Sequence, residues 1–220
     1  MKKRFSILFA IASVLLSTGF IVAQPQIVSA HATAQHSKTD AQVPFTAKSL
    51  VGEWRSVGCD NASLLGEKTG NAFFQRFYVF SQTSFNVRYS YYADANCQKP
   101  LFSVRINGWE ELGQVRRDLS HTREILVVYN TILLTADSVT GQHVVSSCAA
   151  NTWTVGQEYD ITSKGCSAIG LKPRTECIGD YELVRVEGGF YYPGFRTENM
   201  CTRAGRPTHT QTVGAKKVSS

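Results

Sequence analysis

Several things are missing from this chain, and each absence removes a class of function. Apart from one run near the start, no stretch is apolar enough to cross a membrane, so a protein built of several membrane helices is excluded. No two cysteines are spaced C-x2-C or C-x4-C, the usual spacings of zinc ligands, and no metal is expected. There is no G-x-S-x-G, and Gly165-Cys166-Ser167-Ala168-Ile169-Gly170 has its second glycine one residue too late for a nucleophile elbow. His121 and His143 have the chemistry of a base, but no motif marks a nucleophile for either. Glu110 and Glu111 are neighbours, and on a strand neighbours point to opposite faces rather than into one site. No amphipathic helix longer than two turns can be read anywhere.

What is present begins with an export signal. Lys2-Lys3-Arg4 is a basic head, Phe5 to Ala23 is nearly continuous apolar sequence, and Val28-Ser29-Ala30 offers a small-x-small cleavage site. Residues 1–30 are therefore expected to be a signal peptide, and the protein to be exported, periplasmic or secreted. If the signal is not cleaved, the same run is an N-terminal membrane anchor. The formal charge of +6 falls to +3 once Lys2, Lys3 and Arg4 leave with the signal, and Lys216-Lys217 lie in a polar stretch. Such a scattered charge describes a solvated surface and gives no reason to expect a nucleic acid partner. Residues 31–44 are rich in His, Gln, Thr and Ala without periodicity and are expected to be a disordered linker. Residues 206–220 are expected to be a disordered tail on the same grounds.

Six cysteines remain in the exported part: Cys59, Cys97, Cys148, Cys166, Cys177 and Cys201. An even number in an oxidising compartment indicates three disulfides. Of the pairings available, Cys59–Cys97, Cys148–Cys166 and Cys177–Cys201 are the expected set, each contributing about 2–4 kcal/mol.

Between residues 45 and 205 the period is two. Phe85, Val87, Tyr89 and Tyr91 alternate with Asn86, Arg88 and Ser90, and Phe102, Val104 and Ile106 alternate with Ser103 and Arg105. Half-buried antiparallel strands produce this pattern. Phe73 to Phe80 is a further strand, joined to the Phe85 strand by Ser81-Gln82-Thr83-Ser84. Thr122 to Ala136 holds one long or two short strands. Val139–Ser147, Thr152–Val155, Glu158–Ile161, Tyr181–Glu187 and Phe190–Phe195 are the later candidates, the last two joined at Gly188-Gly189. A short helical turn is expected at Ala47–Leu50. Eight to ten strands in one all-β domain must deal with their edges, and closure into an antiparallel barrel does so; a sandwich is the competing architecture.

Short matches in order then carry a resemblance. They run from Leu50-Val51-Gly52-Glu53-Trp54-Arg55-Ser56 and Gly58-Cys59 to Arg76-x-Tyr78-x-Phe80 and Phe85. Tyr91-Tyr92, Asp94, Asn96, Cys97, Pro100 and Gly108 follow. Trp153, Tyr159-Asp160, Gly165-Cys166, Glu182-Leu183 and Arg185-Val186-Glu187 complete the series. Together they resemble the APCDD (adenomatosis polyposis coli down-regulated) domain over most of residues 50–187. The resemblance implies a lipocalin-like β-barrel with an apolar pocket able to hold the lipid chain of a lipidated protein. In animals the family is known for membrane-tethered inhibitors of Wnt signalling with two such domains. This chain has one copy and no C-terminal membrane helix, and its basic head and short form suggest a bacterial exported protein. The implied fold therefore transfers better than the implied partner.

Under that resemblance, Gly52-Glu53-Trp54 opens the first strand, and Trp54 closes the barrel floor with Arg185 packed over it by cation–π contact. Phe85, Val87, Tyr89, Tyr91, Phe102, Val104 and Ile106 are the expected ligand-pocket residues, the alternative being that they pack against each other in a filled core. The expected function is a non-catalytic exported barrel that binds an apolar or acylated ligand and needs no cofactor. Two alternatives stand beside it: a protein- or glycan-binding module with a filled barrel, and an envelope enzyme with a site that no motif reveals.

Overall fold

The computed structural model describes residues 45–62, 72–148 and 153–219; the expected signal peptide and linker lie outside them. Alternation of apolar and polar residues becomes a barrel through ten strands: β1 (Gly52–Ser56), β2 (Asp60–Asn61), β3 (Phe73–Phe80), β4 (Phe85–Tyr92), β5 (Pro100–Val115), β6 (Thr122–Ala136), β7 (Glu158–Asp160), β8 (Gly179–Glu187), β9 (Phe190–Pro193) and β10 (Ala215–Ser219). Neighbouring strands follow the order β1-β10-β9-β8-β6-β5-β4-β3, and β3 pairs back onto β1. All these pairings are antiparallel, so eight strands close on themselves. Closure removes the unpaired edges that an open sheet would expose. The two short strands sit outside the ring, β2 against β3 and β7 against β6.

Register places one face of every strand inward. Tyr78 stands opposite Val87, Val87 opposite Ile106 and Ile106 opposite Ile132, which carries the inner face across four strands. β5 and β6 are the longest strands, and β-bulges at Asn107/Gly108 and between Leu112 and Val115 let them curve around the barrel. The turn between β3 and β4 is held by the Ser81 hydroxyl, which accepts from the amides of Thr83 (3.2 Å) and Ser84 (2.9 Å).

One end of the barrel is closed from the chain start. Helix α1 (Ala47–Leu50) brings buried Leu50 to that end, and its carbonyl accepts a 2.8 Å hydrogen bond from the Trp54 indole. Gly52 turns the chain from helix to strand at a φ of 127°, a conformation that costs a residue with a Cβ. Trp54 itself is 1% exposed, with the Tyr191 ring 6.0 Å away.

The expectation of a disordered tail over 206–220 is corrected for the described residues 206–219, because β10 lies within them and supplies the strand between β1 and β9. The physical reason is Arg76, whose guanidinium points into the barrel and is 1% exposed. It donates to Asp60 Oδ2 at 2.9 Å, to Gln211 Oε1 at 2.5 Å and to the Val213 carbonyl at 3.1 Å. Ser56 joins by donating to the same Asp60 oxygen at 3.1 Å. A buried charge demands such partners, and two of them come from the polar C-terminal stretch.

Two further expectations change. Val139–Ser147 is no strand; Val139–Val144 forms helix α2, capped by the Ser138 hydroxyl accepting from the Gly141 amide at 3.1 Å. Residues 153–155 form no strand either. The three disulfides are Cys59–Cys97, Cys148–Cys166 and Cys177–Cys201, with Cα separations of 5.7, 4.8 and 5.1 Å. Three disulfides belong to an oxidising compartment and fit an exported protein. Among the described residues no helix is long and apolar enough to cross a membrane.

Candidate functional site

The barrel interior is not filled. A cavity of about 820 Å³ occupies it, within the range of about 300–1,000 Å³ typical of small-molecule sites. Its apolar side is built from residues of β3 to β6 at alternate positions, except where the β-bulge opposite Asn107/Gly108 sets Tyr129 and Ile132 three apart. Tyr78 and Phe80 come from β3, Phe85, Val87, Tyr89 and Tyr91 from β4, Val104 and Ile106 from β5, and Val127, Tyr129 and Ile132 from β6. These residues point inward because a strand's period of two sends every second side chain to the same face.

The other wall is polar. On β8, Asp180 and Glu182 both line the cavity, with Tyr191 and Pro193 of β9 beside them. The loops after β6 and β9, at the end away from α1, add residues 147–148, 164–167, 169–173, 176–177, 196–198 and 200–201 to the lining. The Cys148–Cys166 and Cys177–Cys201 disulfides cross-link these loops at the cavity's rim.

Burial shapes the electrostatics of the polar wall. Loss of hydration pushes the Glu182 carboxyl up to about 8; neighbouring Asp180 adds to the shift and Arg196 opposes it. One oxygen, Oε1, accepts from the amides of Leu183 (2.9 Å) and Gly194 (3.0 Å). Gly194 is required for that approach, since a Cβ there would stand 2.2 Å from Oε1. Asp180 accepts from Arg196 at 3.2 Å. The phenols of Tyr78, Tyr129 and Tyr191 are all pushed up by burial and remain neutral. The cavity thus presents carboxyl and phenol hydroxyls against an aromatic and aliphatic surface.

Of the seven residues singled out from the sequence, Phe85, Val87, Tyr89, Tyr91, Val104 and Ile106 line the cavity. Phe102 does not; its ring stacks on Tyr91 at 4.6 Å, a layer behind the lining. Trp54 also stands behind it, against Tyr191. The contact expected between Arg185 and Trp54 is corrected. Arg185 lies on the outer face over Tyr192, 3.9 Å from the ring centroid, and pairs with Glu187. Its cross-strand partners Thr122 and Tyr192 fix that side, so the cation near Trp54 is Lys217 of β10, 5.2 Å from the ring. Tyr78, Phe80, Tyr129, Glu182 and Tyr191 are lining residues that sequence reasoning missed, although all sit at alternate positions of strands.

Among the described residues no histidine lines the cavity and all six cysteines are paired, so no thiolate is present. Cys177, Asp180 and Cys201 cluster closely enough to suggest a metal site, but the two sulfurs are joined to each other. Glu110 faces inward opposite Val127, its carboxyl pushed up by burial, while Glu111 stands opposite Leu126 on the other face. The two do not form a catalytic pair.

A family model described as Adenomatosis polyposis coli down-regulated 1 matches residues 26–190. No curated protein matches the chain. The match spans β1 to β8 and stops at the first residue of β9, short of the strand that closes the barrel.

Proposed function

The chain belongs to the adenomatosis polyposis coli down-regulated 1 family, and from that membership together with the open cavity we propose that it is an exported carrier or receptor for an apolar or acylated molecule. The observation that carries this reading is the cavity of about 820 Å³ inside a closed barrel, walled by aromatic and aliphatic side chains. Burying a fourteen-carbon chain there gains about 0.8 kcal/mol per methylene, or about 11 kcal/mol, against an association cost of about 4–15 kcal/mol. Apolar burial thus supplies most of the binding energy, and the polar wall supplies orientation. A lipidated protein presenting its acyl chain at the loop-lined rim is the partner of the same chemistry. The disulfides across the rim suit a protein working in a periplasm or outside the cell. A filled-barrel module for proteins or glycans is less favoured, because a filled barrel leaves no such cavity.

Uptake of a fluorescently tagged monoacylglycerol by delipidated protein tests this. Wild-type protein is expected to bind it. Ile106→Trp, which narrows the cavity, and Tyr89→Glu, which charges it, are expected to weaken uptake while keeping the circular dichroism of the folded barrel. A folded wild-type protein that takes up no probe contradicts the proposal.

A further inference from the structure

The unusual group in the cavity is Glu182. A carboxyl with little access to water normally has an arginine or lysine against it. Glu182 is 7% exposed, and the nearest guanidinium, that of Arg196, is engaged by Asp180 at 3.2 Å. Other charged and titratable groups face it from every side: Asp180 on its own strand, Tyr129 on β6, Tyr78 on β3 and Tyr191 on β9. Arg76 and Glu110 lie beyond, acting on Tyr191. None of these makes a hydrogen bond to the carboxyl. Its Oε1 already accepts two amide hydrogens, which occupies both lone pairs of that atom. Oε2 has no hydrogen-bond partner among the described residues.

With burial holding the carboxyl at about 8, Glu182 carries a proton at neutral pH. Oε1 is committed as an acceptor, so the proton sits on Oε2. The result is an O–H donor on the polar wall of the cavity, on the carboxyl oxygen that neither of the two amide hydrogen bonds engages. An unmet donor of this kind costs free energy that an incoming acceptor recovers.

We propose that Glu182 determines the cavity's specificity: its carboxyl donates a hydrogen bond to the neutral carbonyl oxygen of an acyl ester or amide, so the site prefers such ligands to free fatty acids. This rests on the apolar-ligand function above and names its chemical class. A neutral carbonyl needs one donor and brings no charge. A fatty-acid carboxylate brings a charge against a wall that already holds Asp180; Arg196 there is paired with Asp180, and the lysines of the lining, Lys164 and Lys172, belong to the rim loop and do not act on Glu182. When Glu182 ionises, the donor becomes an acceptor and the advantage of the carbonyl is lost.

Displacement of a bound fluorescent monoacylglycerol by methyl dodecanoate, dodecanoate and dodecane tests the assignment on the intact, disulfide-bonded protein. At pH 6.5 methyl dodecanoate is expected to displace the probe at a concentration at least tenfold below that of either competitor. At pH 9.5 that advantage is expected to vanish in the wild type and to persist in Glu182→Gln, whose amide keeps both an acceptor and a donor without titrating. Glu182→Leu is expected to lose it at both pH values. Equal displacement by ester and dodecane, or dodecanoate matching the ester at pH 6.5, overturns the inference while leaving an apolar-ligand barrel standing. Identical pH profiles for wild type and Glu182→Gln overturn it as well. Failure of the probe to bind at all overturns both.

Discussion

The buried Glu182 makes the stability of the barrel depend on pH in a direction opposite to that of most carboxylates. Its carboxyl titrates at about 8 in the folded protein against 4.5 for the ordinary side chain. Below pH 4.5 the group is protonated in both states and the folded barrel has its full stability. As pH rises, the unfolded chain ionises first and the folded state is progressively disfavoured until its own carboxyl ionises near pH 8. Integrated over that window of about 3.5 pH units at about 1.4 kcal/mol each, the loss is about 5 kcal/mol. For a domain whose total stability is about 5–15 kcal/mol this is a large share. Guanidinium unfolding at pH 5, 7 and 9, on wild type and Glu182→Gln with disulfides intact, isolates the effect, because every other titrating group is common to both proteins. The difference between variant and wild type is expected to move in favour of the variant by several kcal/mol between pH 5 and pH 9. A difference that stays constant across that range refutes the reasoning, since it means the carboxyl is solvated and ionised like any surface glutamate.

Other perturbations test the frame around the cavity. Asp60→Ala leaves the buried Arg76 guanidinium without its counter-charge and is expected to cost about 3–5 kcal/mol in denaturant unfolding. Removing residues 207–220 takes away β10 and two of Arg76's acceptors; the shortened chain is expected to lose its near-ultraviolet circular dichroism and to associate through the exposed edges of β1 and β9. The double substitution Cys177→Ser with Cys201→Ser opens a bridge of sequence separation 24 at the rim and is expected to lower stability by about 2–4 kcal/mol, measured by the same unfolding assay.

Most of the barrel could be read from the chain because its determinants are local. The alternation through Phe85–Tyr91 and Phe102–Ile106 reports a buried face directly, and a period of two fixes which residues share it. The same alternation runs through Asp180, Glu182, Val184 and Val186, but acidic residues at the first two positions disguise an inner face as a solvated one. Burial is a tertiary property, and only the surrounding strands reveal that these acids face a chamber. The C-terminal strand was hidden for a related reason. Ala-Lys-Lys-Val has no apolar pattern of its own, and its order comes from partners far away in sequence: β1, β9 and Arg76. Val139–Ser147 misled in the opposite sense, since β-branched residues suggested a strand where a serine cap started a helix. Arg185 shows the limit of an implied role. Its register on β8 sends it to the outer face, and Lys217 from the concealed last strand takes the position beside Trp54.

An apolar, acyl-bearing molecule held in the chamber of this barrel would add its mass to the folded protein. Native mass spectrometry of the protein purified without detergent, alongside Ile106→Trp, measures this most directly. A wild-type species heavier than the chain alone by the mass of a co-purifying or added acyl ester is expected, released on collisional activation and less abundant in the variant. A folded wild-type protein that appears at its bare mass even after incubation with methyl dodecanoate contradicts it.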